Sequence, residues 1–181
     1  MRFLHVDPTT KKIKDLELKL EANTFYTFFG SLLIDELPIV TGHTVYTDAN
    51  ALSQRKTPYF INDQLVLGEA LVLGRNGFEE IDATLSVEDL QKLISYDVSD
   101  FYKEALELLA KSDVNLYRAF LVEHNNEKME LNIAWVLYFF NIADERTRRY
   151  FLEELKKTIQ NGKSVEEYMQ EMAKAALQAA S

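Results

Sequence analysis

The polar stretch from Asp48 to Thr57 carries the side chains of this chain that are best suited to bind a small ligand. It is ten residues long, whereas links between strands of a compact domain are usually shorter, and long ordered loops often carry function. Arg55 and Lys56 could bind an anionic group, and Asp48 or Asn50 could fix its orientation. The alternative is an ordinary solvated loop, in which Asp48 and Asn50 make the hydrogen bonds of an Asx turn.

His43 is the histidine nearest to this loop, and it follows Gly42, so a general base could sit there. His5 and His124 are far from it in the sequence, and no two of the three have the spacing of metal ligands. The chain contains no cysteine, which excludes disulfides, thiolate nucleophiles and cysteine-bound zinc. It also lacks the motifs of serine hydrolases, P-loops, dinucleotide-binding folds and zinc proteases. We therefore predict no catalytic residue, no metal and no cofactor, and we favour a protein that is not an enzyme.

Three arginines, Arg146, Arg148 and Arg149, lie in the first turns of a predicted helix. The helix dipole disfavours cations at that end by roughly 0.3–1 kcal/mol each, and Asp144 and Glu145 offset only part of this cost. The arginines are therefore expected to have partners elsewhere. These are either acidic residues of the same chain, or an anion or protein that binds here. The candidates within the chain are Glu123, Glu127 and Glu130.

The last predicted helix carries an apolar stripe at helical spacing. The stripe consists of Val165, Tyr168, Met169, Met172, Ala173, Ala176, Leu177, Ala179 and Ala180. Methionine adapts its shape to a partner, and alanine allows helices to approach closely. The stripe is therefore suited either to packing on its own bundle or to a protein interface, for which Met169 and Met172 are the candidates.

The N-terminal half, which must hold the polar loop, has the pattern of short strands. Residues 16–20 alternate between leucine and charged side chains, which is typical of a half-buried strand. Asn76 and Gly77 lie between two apolar runs and predict a hairpin, because both positions of its turn need positive φ. Short helices are predicted after Asn23 and after Ser86. Further strands are predicted at 2–6, 38–40, 44–47, 59–61, 70–73 and 78–81.

The C-terminal half shows helical spacing and no strand pattern. Helices are predicted at 99–111, 113–124, 128–143 and 144–160 and from 164 onward. We therefore predict an α+β protein: a small antiparallel or mixed β-sheet with one or two short helices, then an all-helical bundle of four to five helices. The domains are predicted as 1–96 and 97–181, packed together because the junction lacks linker composition.

The composition limits the functions that the chain can have. Its 181 residues include 20 basic and 29 acidic ones, giving a net charge of -9 that is spread over both halves. Faces that bind nucleic acid need clustered Lys and Arg, so such binding is disfavoured. Neither a signal-peptide core nor an apolar stretch of about 20 residues is present, so we predict a cytoplasmic protein without membrane association.

Three hypotheses for function follow. The favoured one is a non-catalytic interaction or regulatory module that binds a protein partner or a second copy of itself through its C-terminal helices. The first alternative is a domain or enzyme that binds a small anionic ligand at the 48–57 loop, with His43, Asp48, Asn50, Arg55 and Lys56. The second alternative is an acidic inhibitor of a nucleic-acid-binding protein.

Overall fold

The computed structural model describes residues 1–40 and 42–179. The chain is 35% helix and 31% strand, with sheets followed by helices. This confirms the predicted α+β class. Contacts divide the chain into two compact units, residues 1–98 and the residues from 99 onward.

The first unit is built mainly of antiparallel strands, which form two sheets. Its elements are β1 (Arg2–Asp7), β2 (Lys12–Glu17), α1 (Thr24–Phe29), β3 (Ile34–Val40), β4 (His43–Asp48), β5 (Pro58–Ile61), β6 (Gln64–Leu67), β7 (Ala70–Asn76), β8 (Glu79–Ile81), α2 (Val87–Leu93) and β9 (Ile94–Ser95). The larger sheet has the order β2-β1-β7-β4-β3, with β8 paired to β7, and the smaller has the order β6-β5-β9. The predicted hairpin between β7 and β8 is confirmed, but its turn lies one residue further on: Asn76 pairs with Glu79, so the loop is Gly77 and Phe78. Of the two predicted turn positions only Gly77 has a positive φ, at 63°.

The larger sheet buries apolar side chains against α1. Phe3, Tyr46, Leu71 and Leu73 are buried on this side. The ring of Phe25 in α1 stacks on Tyr46 with a centroid distance of 4.2 Å. Because side chains two residues apart on a strand share a face, this core fixes which residues of β1, β4 and β7 point toward α1.

The second unit contains four helices and one β-hairpin among its described residues. Its elements are α3 (Asp100–Leu109), β10 (Phe120–His124), β11 (Glu127–Leu131), α4 (Ile133–Asn141), α5 (Glu145–Gln160) and α6 (Val165–Ala179). Its core is aromatic and centres on Phe151 of α5. The ring of Phe151 stacks on Phe140 at 4.5 Å and also contacts Phe101 and Tyr168.

The prediction of an all-helical second half is wrong. Residues predicted as the end of one helix and the start of the next form the hairpin of β10 and β11, in which Phe120 pairs with Leu131. Asn125 and Asn126 both have positive φ, at 52° and 65°, which is the backbone of a tight hairpin turn. The turn reverses the chain at a point where a helix would have to end, and cross-strand pairing then fixes both segments as strands.

Tyrosines with little access to water make the protein sensitive to alkaline pH. The pKa values of Tyr46, Tyr102 and Tyr168 are raised above the usual value, chiefly because burial disfavours the charged phenolate. A tyrosine whose pKa is higher in the folded state than in the unfolded state stabilises the fold at every pH below the unfolded-state pKa. This stabilisation is lost as the pH rises above about 10. We expect the free energy of unfolding in urea to fall steeply above that pH.

The matched variant for this prediction is Tyr46→Phe, which removes one titrating phenol. Its free energy of unfolding should fall less steeply with pH, although it also loses the hydrogen bond of 2.9 Å that the Tyr46 hydroxyl donates to Glu80. The prediction would be contradicted if the free energy of unfolding fell equally steeply with pH in Tyr46→Phe and in the wild type between pH 9 and pH 11, about one unit on each side of the usual tyrosine pKa.

Candidate functional site

The 48–57 loop is compact and is organised by the carboxylate of Asp48, at the end of β4. One oxygen of Asp48 accepts a hydrogen bond of 2.9 Å from the backbone of Asn50, and the other accepts one of 3.0 Å from the side chain of Gln54. The side chain of Asn50 donates to Ser31. Asp48 therefore makes the Asx-turn hydrogen bond of the ordinary-loop alternative, whereas the side chain of Asn50 bonds to Ser31 instead of forming an Asx turn.

Arg55 and Lys56 line a cavity of about 400 Å³ beside this loop. Neither side chain has an ion-pair partner in the described part of the chain. The stem of Lys56 passes close to Gly68, where an added Cβ would lie 3.0 Å from the Cβ of Lys56. Gly68 also has a φ of +74°, so a glycine allows both the backbone turn and this close approach.

Acidic side chains also line this cavity. Val6 and Thr47 both pair with Ala70, so the residues one step further on, Asp7 and Asp48, come to the same end of the sheet as Glu69. All three carboxylates line the cavity with Arg55 and Lys56. Two of these acidic residues, Asp7 and Glu69, were not among the predicted site residues. The signal that identifies them is strand register, which the sequence alone does not contain.

The carboxylates differ in how far they are engaged within the protein. Asp7 accepts hydrogen bonds from the backbone of Thr9 and from the backbone and hydroxyl of Thr10. The hydroxyl of Thr10 is the main reason that the pKa of Asp7 lies below its usual value. Glu69 is different: its side chain is 53% exposed, and Nε2 of buried His5 lies 3.3 Å from its Oε1 without hydrogen-bond geometry.

His43 does not join this cavity, although it was predicted beside the loop. It begins β4 while Asp48 ends that strand, which places them about 16 Å apart at roughly 3.3 Å per residue. Its Nε2 lies 3.2 Å from the backbone nitrogen of Thr84 and 3.3 Å from that of Leu85, and accepts from both. His43 therefore holds the strand connection at residues 84–85, and the atom that would act as a base is already occupied.

Replacing His43 by Phe should destabilise the first unit. His43 is only 8% exposed, and its hydrogen bonds to Thr84 and Leu85 are partly buried, so both N–H groups would lose their acceptor where access to water is limited. A fully buried donor left unsatisfied costs roughly 1–3 kcal/mol, and these partly buried ones should cost toward the lower end of that range. Urea unfolding measures the loss, and His43→Gln, which keeps an acceptor oxygen, should recover part of it. Equal stabilities for His43→Phe and the wild type would show that these hydrogen bonds contribute nothing.

The three arginines of α5 have different surroundings. Arg149 forms an ion pair with Glu145 one turn earlier. Arg146 is exposed and Arg148 is half-buried, and neither forms an ion pair with another described residue. The suggested partners Glu123, Glu127 and Glu130 lie on or beside the β10–β11 hairpin and form no ion pair with these arginines. Arg146 and Arg148 thus have no ion-pair partner within the part of the chain that the structure covers.

The apolar stripe of α6 is largely covered by its own unit. Val165, Met169, Ala173 and Ala176 are buried, and Met172 is half-buried. Ala180, which was predicted to belong to the stripe, lies outside the described residues. Of the two uses predicted for the stripe, packing on its own bundle therefore accounts for most of it. The side chain of Met169 is fully buried.

The exposed large apolar side chains among the described residues of the second unit are Leu121, Tyr138, Ile142 and Tyr150, and none of them is a methionine. Tyr150 of α5 is 63% exposed, and Tyr138 and Ile142 at the end of α4 are also exposed. Sequence reasoning missed Tyr150. The available signal was its position four residues after Arg146, which places the two on one face of the helix.

Comparison with protein-family models, curated proteins and solved structures finds no match to this chain. Within residues 1–40 and 42–179, no group of three or more His, Asp or Glu side chains has an arrangement that could hold a metal ion. No helix in these same ranges has both the length and the apolar character needed to cross a bilayer.

Proposed function

We propose that the chain is a non-catalytic interaction module that self-associates through the outward face of α5. This face carries Arg146, Arg149, Tyr150 and Glu153, which recur at helical spacing and are all exposed. Tyrosine and arginine are the residue types that contribute most to protein interfaces, and charged side chains around them add specificity. The observation that carries the proposal is the exposed Tyr150 beside Arg146, which has no ion-pair partner among the described residues.

The order of charges along α5 favours a second copy as the partner. Arg146 and Arg149 lie on the N-terminal side of Tyr150, and Glu153 lies on the C-terminal side. A two-fold interface brings the same patch of both copies together in opposite directions. The two helices would then place Arg146 of each copy opposite Glu153 of the other, with the Tyr150 rings between them. Arg146 would thereby gain an ion-pair partner, which it does not have among the described residues of its own chain.

A charge-swap experiment tests this arrangement. The mass of the full chain is measured by size-exclusion chromatography with light scattering over a range of concentrations. We expect a dimer that Arg146→Glu and Glu153→Arg each weaken, since each places like charges opposite one another. The double variant should restore association, because the pairing is then reversed but intact. Lys111→Glu, an exposed charge change elsewhere in the second unit, is the matched control.

Two results would contradict the proposal. One is a wild-type chain that stays monomeric at every concentration tested. The other is association that occurs but responds equally to Arg146→Glu, Glu153→Arg and Lys111→Glu, which would place the interface elsewhere. Addition of salt should weaken the true dimer, because its ion pairs lie at the edge of the interface and are screened.

A further inference from the structure

We propose that the cavity lined by Arg55, Lys56, Asp7 and Glu69 binds a small zwitterion of the α-amino acid class. The residues that line the cavity all belong to the first unit, whereas α5 belongs to the second, so this proposal does not rest on self-association. Its volume of about 400 Å³ lies within the range of small-molecule sites, roughly 300–1,000 Å³.

Charges of both signs line this cavity, and they lie on different elements. Arg55 and Lys56 come from the loop after β4, are exposed, and form no ion pair with any described residue. Asp7, Asp48 and Glu69 come from the ends of β1 and β4 and from the turn before β7. Two cations and three carboxylates give a formal balance of -1. A simple anion would therefore face net repulsion, although Arg55 and Lys56 alone would attract it.

A zwitterion complements both signs of charge in this cavity. Its carboxylate can pair with Arg55 and Lys56, whose donors have no competing partner in the described chain. Its ammonium group can pair with Glu69, whose carboxylate oxygens accept no hydrogen bond from another described residue. Asp7 and Asp48 are held by hydrogen bonds from Thr10 and Asn50 and so contribute fixed negative charge rather than new contacts.

The apolar part of the cavity lining also favours a ligand of this kind. Phe29, Ala51 and Leu67 also line the cavity and supply apolar surface for an aliphatic side chain. A site with an apolar wall and a few convergent polar groups is typical of small-ligand binding.

The test uses the full chain and a panel of the standard amino acids as probes in thermal-shift measurements, followed by calorimetric titration of each amino acid that raises the melting temperature. For each one that binds, the deaminated carboxylate and the decarboxylated amine serve as matched probes. With leucine, these are 4-methylpentanoate and isoamylamine. We expect each of them to bind at least about tenfold more weakly than the amino acid, since each loses one charge-assisted pair.

Variants connect the binding to these residues. Arg55→Gln and Glu69→Gln should each weaken binding of the amino acid by about tenfold or more, and Lys111→Gln should leave it unchanged. Both cavity positions are exposed, so folding is expected to be retained. The proposal is overturned if no amino acid binds at millimolar concentration. It is also overturned if the carboxylate alone binds as well as the amino acid, since the site would then take simple anions.

Discussion

Replacing Phe151 by Ala should destabilise the second unit by about 3–5 kcal/mol, the usual cost of removing a fully buried aromatic ring. Phe151 is 0% exposed. Its ring lies among Phe101 of α3, Phe140 of α4 and Tyr168 of α6, so it joins three helices to its own. Because small domains are stable by only about 5–15 kcal/mol, this single change removes a large part of the total.

Trp135 in α4 provides the measurement, since it is the single tryptophan of the chain and lies in the same unit. Its fluorescence in urea should show the midpoint for Phe151→Ala at much lower denaturant concentration than for the wild type. Ile142→Ala is the matched control, because Ile142 lies in the same unit and is 66% exposed, so its loss should change stability by no more than about 0.5 kcal/mol. If both variants unfold at the wild-type midpoint, the aromatic core does not hold the second unit together.

Replacing Gly74 by Ala should destabilise the first unit by at least about 1–3 kcal/mol. Here the added methyl group has no space, whereas Phe151→Ala leaves a cavity. Gly74 lies in β7, the strand that β1, β4 and β8 all join. A Cβ at this position would overlap the carbonyl oxygen of Asp82 and lie 2.8 Å from Cγ1 of Ile81. The first of these neighbours is backbone, so the clash can be relieved only by moving β8 away from β7.

Gly77→Asn is the control for this second prediction. Gly77 has a φ of +63°, and a Cβ there would meet nothing within 4 Å. Asparagine tolerates this backbone region better than other residues, so its cost should stay within a few tenths of a kcal/mol. Urea unfolding followed by circular dichroism compares the two variants, and hydrogen exchange of the β7 amides locates the damage. Similar losses for Gly74→Ala and Gly77→Asn would show that the close approach of Asp82 is not what requires glycine.

Signals carried by neighbouring residues were sufficient to predict helix beginnings and tight turns. Ser86 and Asp144 accept hydrogen bonds from the backbone of residues three positions on, at 3.0 and 2.8 Å, as their capping patterns indicate. The hairpin between β7 and β8 is equally local, since the turn depends on the φ angles of its own residues. Such features can be predicted because both partners of each contact lie within a few residues of one another.

The hairpin of β10 and β11 shows where local reasoning fails. Leu116, Tyr117, Phe120 and Leu121 have helical spacing, but a short apolar run of this kind fits a strand as well. Residues 120–124 form a strand rather than a helix because they pair with residues 127–131, beginning with Phe120 and Leu131, across the turn at Asn125 and Asn126. A contact that spans eleven positions in the chain (131 minus 120) leaves no trace in the periodicity of either segment.

The sequence by itself therefore determined the α+β class, most of the strands and helix ends, and the polar loop with Arg55 and Lys56. Only the tertiary structure decided what faces that loop. The register of β1, β4 and β7 brings Asp7 and Glu69 to the loop, and the length of β4 takes His43 away from it. The physical reason is that side-chain neighbours across a sheet are set by hydrogen-bonded pairing between distant segments, whereas a sequence pattern records only the neighbours along the chain.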